Sequence, residues 1–257
     1  IDRYYLGEPA VSYLIEDGGQ NILLDTGYSE VFLENAVRMG IDLSGVTDIV
    51  LSHGHNDHTG GLPAFLARFS QSVRLFAHPR ALLPKRVEGQ DVGSPISLEK
   101  LPQRVQTRLV TKPCAVSEHV LFLGEVPRVY AFEQNRAVGE APSACGCCWE
   151  SDALADDTSL ALVLSEGVFV VTGCAHAGVC NTVAYAKEIS GKERVLGVLG
   201  GFHLFETGGV LDETIATLRA LGVERVYPAH CTSLAVKSAL FAAMPTQEVG
   251  VGLTILW

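Results

Sequence analysis

Ser52-His53-Gly54-His55-Asn56-Asp57-His58-Thr59 places three histidines and an aspartate within six residues, directly after the apolar run Ile49-Val50-Leu51. A short apolar run of this kind reads as a buried strand, so the four polar groups stand at a strand end. Histidine and aspartate are costly to bury unless paired or coordinated, and four of them at one strand end need a common partner. A divalent cation is such a partner. His53 and His55, two apart on an extended loop, can turn to one ion. Asp57 and His58, being adjacent, diverge and can meet a second, as in two-metal hydrolytic sites with ions roughly 3.5–4 Å apart. Gly54 and Gly60-Gly61 let the loop bend without Cβ clashes. A polar loop of unrelated histidines is the alternative, and the concentration of ligand types weighs against it.

Outward from this loop, short β-rich runs alternate with helical periodicity. Residues 11–16 and 21–24 read as a hairpin around Asp17-Gly18-Gly19-Gln20. A helix is expected over 31–39, a strand at 48–51, a helix over about 61–69 and a strand at 73–77. From about 79 to 157 the pattern weakens, although 120–123 and 129–132 resemble strands; this stretch reads as a loop-rich insertion. Periodicity returns with a second hairpin, 159–164 and 168–172, around Ser165-Glu166-Gly167. Helices at 181–189, 211–221 and 234–243 and strands at 195–199, 224–227 and 249–256 follow. Each half runs from a hairpin into alternating helices and strands, which predicts an α/β fold, an αββα four-layer sandwich, as one domain spanning 1–257.

Composition narrows the partners. The chain has 257 residues, 47% of them apolar, with a net charge of −10. It can bury a large core, and its acidity argues against a nucleic-acid backbone as partner. No apolar run approaches the length of a membrane span, and Ile1-Asp2-Arg3-Tyr4-Tyr5 does not read as a secretory signal. The expectation is a cytoplasmic protein without a membrane partner. Seven cysteines is an odd number, so at least one lacks an intramolecular partner. In a chain with this much core they read as thiols or ligands.

The run Leu51-Ser52-His53-Gly54-His55-Asn56-Asp57-His58-Thr59-Gly60-Gly61-Leu62 resembles the H-x-H-x-D-H signature of the metallo-β-lactamase superfamily, and Leu24-Asp25-Thr26-Gly27 resembles its Asp-x-Gly turn. Gly173-Cys174-Ala175-His176-Ala177-Gly178, Gly200-Gly201-Phe202-His203-Leu204 and Pro228-Ala229-His230-Cys231-Thr232 look like the subgroup labelled dihydropterin methyl-ribofuranosyl-aminobenzene-phosphate synthase. The resemblance implies that His53, His55 and His176 hold a first metal and Asp57, His58 and His230 a second. His176 and His230 each follow a β-rich run, where a side chain can reach a sheet edge. Many family members carry an aspartate that bridges both ions where this chain has Cys174. A thiolate there could ligate, favouring zinc over magnesium or calcium; equally, Cys174 could be a small buried residue.

His203, beyond the expected strand at 195–199, reads as a proton donor, an oxyanion contact or a residue orienting a ligand. Asp25 reads as a carboxylate behind a histidine ring that fixes its tautomer. His78 and His119 read as ordinary packed or surface histidines, and Asp156-Asp157 resembles an acidic pair of the subgroup, although a solvated turn explains it too, and is left out of the site. Cys145, Cys147 and Cys148 fall short of the four ligands of a structural zinc site, and read as a chance grouping, an oxidation-prone loop or an extra metal site. The implied activity is metal-dependent hydrolysis of a small phosphoester or ester, in which zinc, iron or manganese activates water and Asp57 and His203 serve the reaction. An iron oxidoreductase on the same fold and a metal-binding sensor without turnover stand as rivals, and a methanopterin-type synthase as a third. The chain lacks Gly-x-Ser-x-Gly, which argues against a serine nucleophile.

Overall fold

A computed structural model of the protein describes residues 4–134, 137–143 and 145–257. Residues 1–3, on which part of the N-terminal reading rests, lie outside them. The described residues form two compact units, the first drawn from 4–110, 137–143, 145–156 and 251–254, the second from 111–134, 157–250 and 255–257.

The first unit is built on β1 (Tyr13–Asp17), β2 (Gln20–Leu24), β3 (Asp48–Val50), β4 (Val73–Ala77) and β5 (Val105–Leu109), hydrogen-bonded in that order. β1 and β2 are the expected antiparallel hairpin, with Asp17 opposite Gln20 across Gly18-Gly19. β2, β3, β4 and β5 run parallel. β3 is buried throughout, as parallel strands covered on both faces are. Helices α1 (Val31–Met39), α2 (Asn56–Thr59) and α3 (Leu62–Arg68) also belong here, and Leu33, Ile49, Leu62, Phe65 and Leu75 share one apolar core. The pattern-poor stretch 79–157 contributes β5 to this sheet, and in the same unit a small antiparallel sheet made of Arg86–Val87, Gln90–Asp91, Glu140–Pro142 and Trp149–Ser151. Gln106 to Arg108 are exposed or nearly so, and so gave no apolar signal.

The second unit holds β6 (Cys114–Ala115), β7 (Val120–Phe122), β8 (Ser159–Val163), β9 (Val168–Thr172), β10 (Val195–Gly201) and β11 (Val226–Ala229), with α4 (Val179–Ser190), α5 (Gly209–Ala220) and α6 (Leu234–Ala243). The sheet order is β11-β10-β9-β8-β7-β6. β8 and β9 are the second hairpin, while β9, β10 and β11 are parallel. Their apolar residues form a second core with Val183, Leu211, Leu218 and Leu240.

Two expected strands are not formed. Residues 129–132 give way to a 3-10 turn at Ala131–Glu133, because the amides of Val129 and Tyr130 donate to Asn181 Oδ1 at 2.8 and 3.1 Å rather than to a sheet. Residues 249–256 form no strand: pairing beside β11 ends with Gln247 N–H donating to Val226 O, and Val251 and Leu256 beyond it are 49% and 89% exposed. The strand expected at 224–227 lies two residues later, so β11 ends immediately before His230.

Candidate metal centre

In the first unit the site grows from the end of β3. His55 is the residue before α2, and its carbonyl accepts from the amides of His58 and Thr59 and from Thr59 Oγ1. This single helical turn sets Asp57 and His58 beside each other, with Asp57 Oδ2 3.6 Å from His58 Nε2. The ring centroids of His53 and His58 are 4.2 Å apart. Gly54, Gly60 and Gly61 are required for close approach. A Cβ at Gly54 would lie 2.2 Å from Ala81 O, one at Gly60 2.1 Å from Tyr28 O, and one at Gly61 2.1 Å from Thr26 O. Gly60 and Gly61 have ordinary right-handed backbone, so space decides these positions rather than bending.

Behind the loop, buried Asp25 collects three donors. Its Oδ1 accepts the Ser52 amide at 2.7 Å, and its Oδ2 accepts the Ser52 hydroxyl at 2.7 Å and His58 Nδ1–H at 2.6 Å. Ser52 Oγ, its proton committed to Asp25, accepts from His53 Nδ1 at 3.0 Å. The carboxylate thereby sets the tautomer of both rings, and each carries its lone pair on Nε2. His53 Nε2 lies 3.1 Å from His55 Nδ1. Burial, with lesser contributions from Lys85 and His58 opposed by Asp57 and Asp156, lowers the His55 pKa to about 4, so this ring is neutral at neutral pH.

Asp156, outside the expected site because a solvated turn explains it as well as the subgroup's acidic pair does, is fully buried and belongs to the support of this loop. Its Oδ2 accepts the Gly54 amide at 2.8 Å, and its Oδ1 receives Lys85 Nζ at 2.9 Å. Lys85 Nζ also donates to Asp152 at 2.6 Å. The signal available was the acidic pair itself just before an apolar strand; its distant lysine partner had no local signature.

In the second unit the candidate ligands occupy the ends of three parallel strands. The turn after β9 carries Cys174 and His176, β10 leads to His203, and β11 leads to His230. Ligand atoms of Cys174 and His230 come within 4.8 Å of each other. The rings of His176 and His203 lie 4.3 Å apart, so His203 does share this strand-end cluster. Cys174 is buried, and Cys231 Sγ bonds its carbonyl at 3.7 Å. Asp157 is also buried here, and its Oδ2 accepts the Ala177 amide at 2.9 Å. Buried Glu133 accepts the amides of Cys180 and Asn181 at 3.0 and 2.8 Å, capping the start of α4 where the helix dipole favours a carboxylate.

Asp25, Ala175, His203 and His230 all have positive φ, at 59°, 53°, 48° and 44°. Non-glycine residues seldom adopt this conformation, and it concentrates where a site dictates side-chain direction. His78 is packed, its Nδ1 accepting the Arg80 amide at 3.1 Å, and His119 is exposed near Glu118. Neither joins the centre.

The residue types fit divalent cations. Imidazole nitrogens, a carboxylate and a thiol are the borderline donors that zinc, iron and manganese accept.

The family model for the metallo-beta-lactamase superfamily matches residues 6–128. Over 244 residues the chain is 31% identical to 7,8-dihydropterin-6-methyl-4-(beta-D-ribofuranosyl)-aminobenzene-5'-phosphate synthase of Methanocaldococcus jannaschii, covering 89% of this chain and 82% of that one. Among solved structures it is similar to Tm1679, described as a metal-dependent hydrolase of the beta-lactamase superfamily. The TM-score is 0.78 at 26% identity, with 93% of this chain and 92% of that chain covered. Zn(2+)-bound PqqB from Methylobacterium extorquens shares the fold at a TM-score of 0.55 and 14% identity, covering 95% and 87% of the two chains.

Proposed function

This chain belongs to the metallo-β-lactamase superfamily, and on that premise we propose that it is a hydrolase of a small phosphorylated or ester-type substrate, with two divalent ions, zinc foremost. His53, His55 and His176 hold one ion; Asp57, His58 and His230 hold the other, with Cys174 as a further thiolate donor. The observation that carries this reading is the Asp25–Ser52 network. A carboxylate spent on fixing two imidazole tautomers has little purpose unless both Nε2 lone pairs are wanted by cations. The relative named as a synthase acting in dihydropterin chemistry turns the substrate reading toward phosphate-bearing or pterin-like small molecules.

When bound, the ions supply Lewis-acid charge that brings the pKa of water to about 7 and polarises the oxygen under attack. The chain's own residues divide the remaining work. Asp25 and Ser52 orient His53 and His58, and Asp156 pins the Gly54 amide so that His53 and His55 keep their spacing. His203, held in left-handed backbone beside His176, relays a proton from water to the departing oxygen as the ester bond breaks.

The test loads the protein separately with zinc, iron or manganese and assays phosphomonoesters, phosphodiesters, lactones and thioesters. Hydrolysis of at least one phosphoester is expected. It should be lost together with bound metal in His58→Ala, and lowered about 10²–10⁴-fold with metal retained in His203→Asn. Turnover only with iron, dependent on oxygen or thiol, would replace hydrolysis with redox chemistry. Metal binding without any turnover would leave a sensor.

A further inference from the structure

Three cysteines stand apart from the histidine centre. Cys145, Cys147 and Cys148 lie in the loop joining Glu140–Pro142 to Trp149–Ser151, an antiparallel pair in which Pro142 faces Trp149. All three are exposed, whereas Cys174 and Cys180 are buried, so no core packing accounts for them. The loop is tightly closed: the Ser143 amide donates to Cys148 O at 2.9 Å and the Gly146 amide to Ser143 O at 2.8 Å. Gly146 takes φ +67°, which doubles the chain back between Cys145 and Cys147. Arg86 stacks over the Trp149 ring at 4.0 Å and steadies the hairpin base.

The sulfurs converge. Their atoms all lie within 4.8 Å of one another, with Cys147 and Cys148 at 3.9 Å. Ser143 Oγ lies 3.2 Å from Cys145 Sγ and 3.3 Å from Cys148 Sγ. Three thiolates around one ion in a trigonal plane, at metal–sulfur distances of about 2.3 Å, would sit about 4 Å apart. Cys145 and Cys147 are joined as a disulfide in this structure, the oxidised form of the same trio.

We propose that the Cys145-Gly146-Cys147-Cys148 hairpin tip is a redox-gated binding site for one soft monovalent cation of the copper(I) class. All-sulfur donors select soft ions. No fourth histidine, cysteine or carboxylate joins the trio among the described residues, so a four-ligand zinc site is not built. Opening the site consumes a dithiol reductant. The Cys145–Cys147 S–S bond breaks, its two sulfurs gain two electrons and two protons, and the reductant becomes a disulfide. Copper(I) then displaces the thiol protons. Reoxidation by a disulfide closes the pair and expels the ion.

The probe is copper(I) presented anaerobically as its coloured bathocuproine disulfonate complex to the full chain, reduced beforehand and freed of reductant. Reduced wild type should withdraw one equivalent more than C145S/C147S/C148S, and loading should quench Trp149 emission while sparing Trp257. Circular dichroism confirms that the variant, altered only at an exposed tip, keeps its fold. Equal copper uptake by wild type and variant overturns the site. Undiminished uptake by wild type with Cys145–Cys147 oxidised overturns the gating. A preference of the trio for zinc over copper(I) overturns the assignment of the ion.

Discussion

The candidate ligand loops of the two units are built differently. In the first, His53, His55, Asp57 and His58 come from one short stretch and are braced by buried side chains of charged residues: Asp25, Asp156 and, through it, Lys85. In the second, Cys174, His176, His203 and His230 come from three strand ends, and the carboxylates of Asp157 and Glu133 hold the amides of Ala177, Cys180 and Asn181. A compact cluster of ligands concentrates polar groups that must each be satisfied. A dispersed one lets the parallel sheet supply alignment and needs only its turns pinned.

This contrast predicts unequal sensitivities. The largest effect is expected from Lys85→Met, which leaves Asp152 and Asp156 buried without their cation and should cost about 3–5 kcal/mol in denaturant unfolding. Next is acid. Because the folded His55 pKa is lowered to about 4, the unfolded chain binds the extra proton between pH 6.5 and 4. Metal-free protein should therefore hold this contribution in full above pH 6.5 and lose it as pH falls toward 4, on the order of 3 kcal/mol. His55→Gln should flatten that slope in a pH series of melts. Asp25→Asn comes third: one amide cannot accept from Ser52 and His58 as the carboxylate does, and metal affinity should fall about 10–100-fold in a chelator competition. The smallest change is expected in the second unit, where Glu133→Gln keeps one of the two acceptors at the start of α4 and leaves the other amide facing an NH2 group, which should remove about 1–2 kcal/mol. If Glu133→Gln proved as damaging as Lys85→Met, the contrast between the compact and the dispersed cluster would fail.

Legibility in the sequence follows the same division. The two hairpins, the helices α1, α3, α4, α5 and α6 and the strands β3, β4, β10 and β11 were readable because buried faces impose periodicity, and the His53–His58 loop because its donors are contiguous. His176, His203 and His230 acquired meaning mainly through family resemblance, since each alone is one histidine after a strand. β5 was hidden by exposed residues, and the expected strand at 249–256 was apolar composition without a neighbour to pair with. Asp156 and Lys85 are 71 residues apart, a pairing that only the fold reveals.

Asp25 carries a consequence for how the centre fills. In the proposed assignment His53 and His58 serve different ions, yet both answer to this one carboxylate, directly or through Ser52. Binding at either position strengthens the polarisation of a shared hydrogen-bond chain, so the two affinities are thermodynamically linked. Occupancy of one ion should alter the dissociation constant of the other, and Asp25→Asn should loosen that coupling as well as weaken each step.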